Sequence, residues 1–188
     1  AVRQPGLPLL LPAPLCQPHR PPPGEFEAHA ADVGQGAAVL VRTARHSLLY
    51  DAGPRYGVDS DAGQRVLVPL LRALDERLDM LVLTHRDSDH SGGAAAVLAM
   101  QAEAALLSSI EAGHPLQKLR PARRCLAGQQ WEWDGVRFEI VHPQPGDDER
   151  TGIKPNALSC VLRIQGARGS ALLAGDIERE QEEALVAA

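Results

Sequence analysis

The apolar positions of this chain fall into short clusters with two different periods. Residues 25–32, 37–43 and 47–50 are strand-length pieces, separated by Gly34-Gln35-Gly36 and by the polar stretch 44–46, as consecutive antiparallel strands are. Between 65 and 74 the period changes: Val66, Leu67, Leu70, Leu71 and Leu74 recur at helical spacing. Residues 79–84 then read as a short buried strand running into His85. Gly92-Gly93 opens an Ala-rich helix to about Ala102, and an apolar piece follows at 105–107. Further strands are predicted at 131–133 and 136–141 around an Asp134-Gly135 hairpin turn, and at 158–164 and 170–173 around residues 166–169. A last helix covers 178–186.

Strands, helix, strand, helix, strands, helix is the order of an α/β protein built as a sheet sandwich flanked by helices. An alternating parallel-sheet fold fits it less well. The first 24 residues stand apart, because they hold eight of the 15 prolines and close on Pro21-Pro22-Pro23-Gly24, which forbids regular helix or central strand. Two units are therefore expected: a Pro-rich linker or tail at 1–24 and a folded domain at 25–188. The apolar run 7–15 is broken by three prolines and falls far short of the roughly 20 residues of a spanning helix. An exposed linker or the cut end of a membrane-adjacent segment both fit it.

Composition narrows the function classes. With 44% hydrophobic residues the chain buries a real core, and with six aromatic residues it offers no platform for stacking single-stranded bases. A formal charge of −5 gives no global attraction to nucleic acid, so such a partner needs a local site, for which Arg120, Arg123 and Arg124 are available. Cys16, Cys125 and Cys160 are odd in number and widely spaced, which indicates neither a disulfide framework nor a CxxC zinc site. Gly34-Gln35-Gly36 lacks the G-x-G-x-x-G spacing and a following helix, so no nucleotide cofactor is expected.

The chemistry concentrates in one segment, His85-Arg86-Asp87-Ser88-Asp89-His90. Four metal-ligand side chains lie within six residues, between a strand end and a helix, where a loop can converge them. In an extended loop His85, Asp87 and Asp89 share one face and His90 leaves the other way, so two neighbouring ions are within reach. Asp176, after Gly175 at a strand end, can cap the acidic helix that follows or bridge two cations. Asp51 in Asp51-Ala52-Gly53 reads either as a structural strand end or as a hydrogen-bond partner of the ligand loop. His142 and Ser159 lie in strand contexts and read as satisfied core residues.

Taken in order, Asp32-Val33-Gly34-Gln35-Gly36, Asp51-Ala52-Gly53, the His85–His90 segment with Gly92-Gly93, Asn156-Ala157-Leu158-Ser159 and Leu172-Leu173-Ala174-Gly175-Asp176 resemble the metallo-β-lactamase superfamily. Within it they are most similar to the C-terminal domain of ComEC-type DNA-uptake proteins. The resemblance implies an αβ/βα sandwich and a two-metal hydrolase. His85 and Asp87 would serve one metal site, Asp89 and His90 the other, and Asp176 would bridge them. Asp89 would also orient the attacking water. Asn156 or Ser159 stands where the superfamily's third-motif histidine is expected and would bind substrate or complete the site; Asp32 and Asp51 would support the ligands. Asp87 replaces a histidine of the wider superfamily, which shifts the expected ions from zinc alone toward manganese, with magnesium a third candidate. Ala37 stands where the family usually has Asp, and the family's final His-His-Gly-Ser loop is expected beyond Ala188, which makes the domain incomplete at its C-terminus.

The same resemblance implies a phosphodiesterase or nuclease that degrades a DNA strand during uptake. DNA is the implied substrate, and the channel portion of a parent membrane protein and other competence proteins are the implied partners. The place is extracytoplasmic (periplasmic), on an inner-membrane protein, with this segment itself soluble. Two alternatives stay open: a metallohydrolase for another ester or lactone, and a non-catalytic gating or docking module.

Overall fold

The structure, a computed structural model, describes residues 19–147 and 152–187. Most of the Pro-rich stretch, with Cys16, lies outside them.

Two sheets stack face to face. The first has six strands in the order β1 (Glu27–Ala30), β2 (Val39–Arg42), β3 (Ser47–Tyr50), β6 (Met80–Leu83), β7 (Ala105–Ser108) and β8 (Arg123–Arg124). It begins as the expected antiparallel meander and turns parallel from β3 onward. The second is antiparallel throughout, β12 (Ser170–Leu173), β11 (Val161–Gln165), β10 (Val136–His142) and β9 (Gln130–Trp133). A small hairpin, β4 (Arg55–Gly57) with β5 (Ser60–Asp61), stands outside both.

Consecutive apolar residues in β2, β3, β6 and β7 follow from a sheet covered on both faces. Leu40, Leu49, Leu81, Leu83 and Leu106 pack against Leu67, Leu71, Val97 and Leu98 of the helical layer. Their neighbours Val41, Leu48, Val82 and Leu107 point the other way, into a core shared with Val136, Phe138, Ile140, Leu162 and Ile164 of the second sheet. Strand alternation thus builds two cores from one sheet. The helical layer contains α1 (Val68–Ala73), continuous with a π-helical turn at Gly63–Leu67, α3 (Ala94–Met100) and α4 (Leu116–Leu119). α5 (Arg179–Ala187) lies over the outer face of the second sheet without burying a residue.

Two predicted features change. The strand expected from 158 starts only at Val161, because Asn156–Leu158 forms a 3-10 turn. Cys125 and Cys160, 35 residues apart and unpaired by spacing, are joined as a disulfide with their Cα atoms 6.0 Å apart. Sheet stacking brings them together, and linear spacing carries no trace of it. The sheets are also tied by polar groups. The Tyr50 hydroxyl lies 2.6 Å and 2.8 Å from the carbonyls of Cys160 and Leu173. Asp134, in the β9–β10 turn, accepts hydrogen bonds from Thr43, Arg45 and His46 of the β2–β3 turn. Arg20 reaches from the proline stretch to the buried Glu76 carboxylate and the Thr43 carbonyl.

Candidate metal centre

The parallel strand β6 delivers Thr84 and His85 at its carboxyl end, the place where open α/β sheets bind ligands. Asp87 is extended (ψ 145°) and caps α2 (Ser88–Ser91), a single helical turn closed by the His90 and Ser91 N–H groups on the Asp87 carbonyl. This turn corrects the extended-loop expectation. Instead of leaving the opposite way, His90 folds back, and its ring centroid sits 4.4 Å from that of His85. Asp176 arrives from the second sheet, after Gly175 with φ +59°; a side chain at Gly175 would press on Thr84 and Ser159.

Ligand atoms of His85, His90 and Asp176 all lie within 4.8 Å of one another. The His90 Nε2 is 3.2 Å from Asp176 Oδ1 and 3.8 Å from Asp89 Oδ2, and His85 Nε2 is 3.6 Å from Asp87 Oδ2. The two imidazoles are buried, while the side chains of Asp87, Asp89 and Asp176 are each about two-fifths exposed, so the cluster opens on its carboxylate side.

Behind the histidines a polar network fixes which nitrogen faces the opening. Asp51, fully buried, accepts from His90 Nδ1 at 2.7 Å, from the Thr84 N–H at 2.8 Å and from Thr84 Oγ1 at 3.0 Å. Thr84 Oγ1 lies 2.9 Å from His85 Nδ1, and Ser159 Oγ lies 3.4 Å from the same atom while accepting the Asp176 N–H. With both Nδ1 atoms engaged, both Nε2 atoms are directed at the carboxylates. His85 Nε2 is buried and has no hydrogen-bond partner. Buried polar atoms are nearly always paired, so this one is available to coordinate an ion. Two imidazoles with three carboxylates form a mixed nitrogen and oxygen donor set suited to divalent ions.

The electrostatics follow from the same contacts. Burial pushes the Asp51 carboxyl up from its usual range, against the hydrogen bond and charge of His90 and the hydrogen bonds of Thr84. Burial pulls His85 down, with the neighbouring His90 charge acting in the same direction. For His90 burial works downward too, but the Asp51 hydrogen bond and charge, then Asp176 and Asp89, overcome it and push the group up to about 9.

The other expected site residues lie further out. Asp32 is exposed, and its carboxylate takes the Gly34 N–H at 3.3 Å, so it holds the glycine turn and not a ligand. Asn156 opens the 3-10 turn and is outside the cluster; Ser159 joins the network from behind. Ala37 touches the ligand loop through its backbone, donating to the Asp89 carbonyl at 3.2 Å. His142 is buried and bonded to the Ala157 carbonyl, a satisfied core residue as expected. Nothing in the sequence pattern singles out Thr84 beyond its position one residue before His85.

A family model described as the Metallo-beta-lactamase superfamily matches residues 31–188. The chain is 42% identical over 171 residues to Competence protein ComA of Neisseria gonorrhoeae, covering 90% of this chain and 22% of that protein. It is 31% identical over 158 residues to Recombination protein 2 of Haemophilus influenzae, covering 84% and 19% respectively. The chain thus spans about a fifth of the length of the curated relatives it matches. Among solved structures, a metallo-beta-lactamase of Cronobacter sakazakii with a HARLDQ motif has the same fold, with a TM-score of 0.54 and 21% identity over 84% of this chain and 58% of that one.

Proposed function

Because the chain belongs to the metallo-β-lactamase superfamily, we propose that the His85–Asp176 centre holds two divalent ions and hydrolyses phosphodiester bonds of DNA during its uptake. The observation that carries this reading is the buried, unpartnered His85 Nε2 within reach of His90 and Asp176. The likeness to proteins named for competence and recombination supports DNA as the substrate.

His85 and Asp87 would hold one ion and His90 and Asp89 the other, with Asp176 shared between them; the imidazoles suit zinc and the carboxylates manganese or magnesium. Bound ions supply Lewis-acid stabilisation of phosphoryl charge and acidify water. Asp51 and Thr84 keep the imidazoles in the tautomer that presents Nε2, and Ser159 steadies the Asp176 backbone. Asp89, with its carboxylate at the open side, orients the attacking water and accepts its proton.

In this reading the domain is part of a longer protein, attached to a membrane channel and facing away from the cytoplasm, with other competence proteins as partners. The Cys125–Cys160 disulfide supports an oxidising compartment. No helix among the described residues is long and apolar enough to cross a membrane.

Asp89→Ala and His90→Ala are expected to abolish cleavage of single-stranded DNA while leaving the circular dichroism spectrum unchanged. Cleavage at the full rate by either variant would overturn the assignment. Turnover of a lactone or thioester with no DNA cleavage by the parent chain would redirect it to another ester.

A further inference from the structure

The side chains that meet at the metal centre come from two sheets. His85 and His90 follow β6 of the first, whereas Asp176 follows β12 of the second. The centre keeps its shape only while the carboxyl end of β6 stays against the start of β11, where the second sheet meets it. Three contacts fix that meeting point. The Cys160 N–H donates to the Thr84 carbonyl at 3.0 Å, the Tyr50 hydroxyl lies 2.6 Å from the Cys160 carbonyl, and a disulfide joins Cys160 to Cys125. Cys125 follows β8, and its N–H donates to the Ser108 carbonyl of β7 at 3.0 Å, so it is anchored to the same edge of the first sheet as Thr84. Among the described residues this bond is the one covalent cross-link between the sheets.

The cross-link lies one residue from the support of two ligands. Ser159, which precedes Cys160, has its Oγ 3.4 Å from His85 Nδ1 and accepts the Asp176 N–H at 3.3 Å. One hydroxyl thus touches a histidine of the first sheet and the carboxylate-bearing segment of the second. Ser159, Cys160 and Cys125 are all buried, so a shift of the Cys160 backbone passes directly to Ser159.

We propose that closure of the Cys125–Cys160 bond is the redox switch that makes the centre competent to hold metal, with Ser159 as the positioning residue that carries the effect to His85 and Asp176. The inference rests on the reading of this cluster as a metal centre and adds its regulation. Closure takes two electrons and two protons from the two thiols. A disulfide-bearing oxidant receives them through a mixed disulfide; its own sulfur–sulfur bond breaks as the Cys125–Cys160 bond forms. With the thiols free, Ser159 is no longer held at both ligands and divalent ions bind weakly. The centre therefore stays empty where thiols are kept reduced and fills where disulfides form. Because both sulfurs are buried in the folded protein, a thiol reductant has no access to the closed bond, and the step runs once, as maturation.

The test uses the 188-residue protein carrying Cys16→Ser, which leaves the single pair. It is compared in two forms, air-oxidised and reduced with dithiothreitol in urea, the latter refolded and freed of reagent under nitrogen. Manganese is the probe in calorimetric titration, because a hard ion has little affinity for the freed thiols. The reduced protein is expected to bind manganese roughly 10–100-fold more weakly, the usual cost of losing an outer partner of a ligand. Ser159→Ala with the bond closed should show a comparable loss, and reducing that variant should add little to it, since both changes act through one contact. A bond that serves stability alone would move the urea midpoint and leave the manganese affinity of the folded protein unchanged; that result overturns the switch. It is equally overturned by free thiols in the air-oxidised protein under denaturant, by a reduced form whose circular dichroism is that of an unfolded chain, or by a Ser159→Ala variant that loses as much affinity on reduction as the parent. Equal binding by both forms leaves the metal reading standing, whereas no manganese binding by the oxidised protein removes that reading and the switch together.

Discussion

Asp51 is held in a left-handed conformation with φ +60°, in a fully buried position. Few residues other than glycine, Asn and Asp adopt that region, and those that do in a core mark a local demand stronger than the strain. Here the demand is on the carboxylate, which receives His90 Nδ1 and both polar groups of Thr84. Asp51→Asn keeps the backbone preference and removes the charge that orients His90. It is expected to weaken manganese or zinc affinity roughly 10–100-fold, the usual cost of losing an outer partner of a ligand, with little change in the urea midpoint; calorimetric titration checks it. The four ligand-type residues at 85–90 were legible because they crowd into six positions. The part played by Asp51 was legible only as one of two alternatives, because deciding between them depends on a contact spanning 39 residues and on one backbone angle.

The element that shapes the site is the turn of helix at Ser88–Ser91, and four residues are too few for any periodicity to show. Its position depends on close packing of glycines. A Cβ on Gly93 would collide with the Ala52 carbonyl and the Gly63 backbone, so α3 and the helix after Gly63 touch at backbone distance just below the ligand loop. Gly93→Ala is accordingly expected to destabilise the fold by about 1–3 kcal/mol, the typical cost of overpacking, and to weaken metal binding along with it. A urea titration paired with a metal titration reads both. The two-residue strand β8 is likewise too short to show a pattern in sequence, and with it the strand edge that carries Arg124. By contrast β2, β3 and β6 were legible as strands, because a sheet buried on both faces needs unbroken apolar runs.

Across the whole molecule, Asp134 links the two sheets at the end remote from the metal centre. Its side chain is 1% exposed. Burial would raise its carboxyl, but hydrogen bonds from Thr43, Arg45 and His46 hold it well below the ordinary 3.8. A carboxyl depressed by folding stabilises the protein above its ordinary value and loses that contribution as pH falls below it. Wild-type stability should therefore decline below about pH 4. Asp134→Asn, which tolerates the same φ of +53°, should be less stable at pH 7 by about 1–3 kcal/mol. Its decline through the acid range should be shallower, as urea unfolding at stepped pH will show. At this scale the sandwich was legible from element order, whereas the Cys125–Cys160 pair was not, since only the stacking of the sheets creates it.

Whether the carboxyl ends of the parallel strands hold two catalytic ions is read by stripping the protein with a chelator and following hydrolysis of bis(p-nitrophenyl) phosphate as manganese, zinc or magnesium is added back. Two-ion phosphodiester chemistry predicts no turnover by the stripped protein and recovery that saturates at two equivalents of manganese or zinc. Turnover that survives the chelator, or none with any of the three ions, would contradict it.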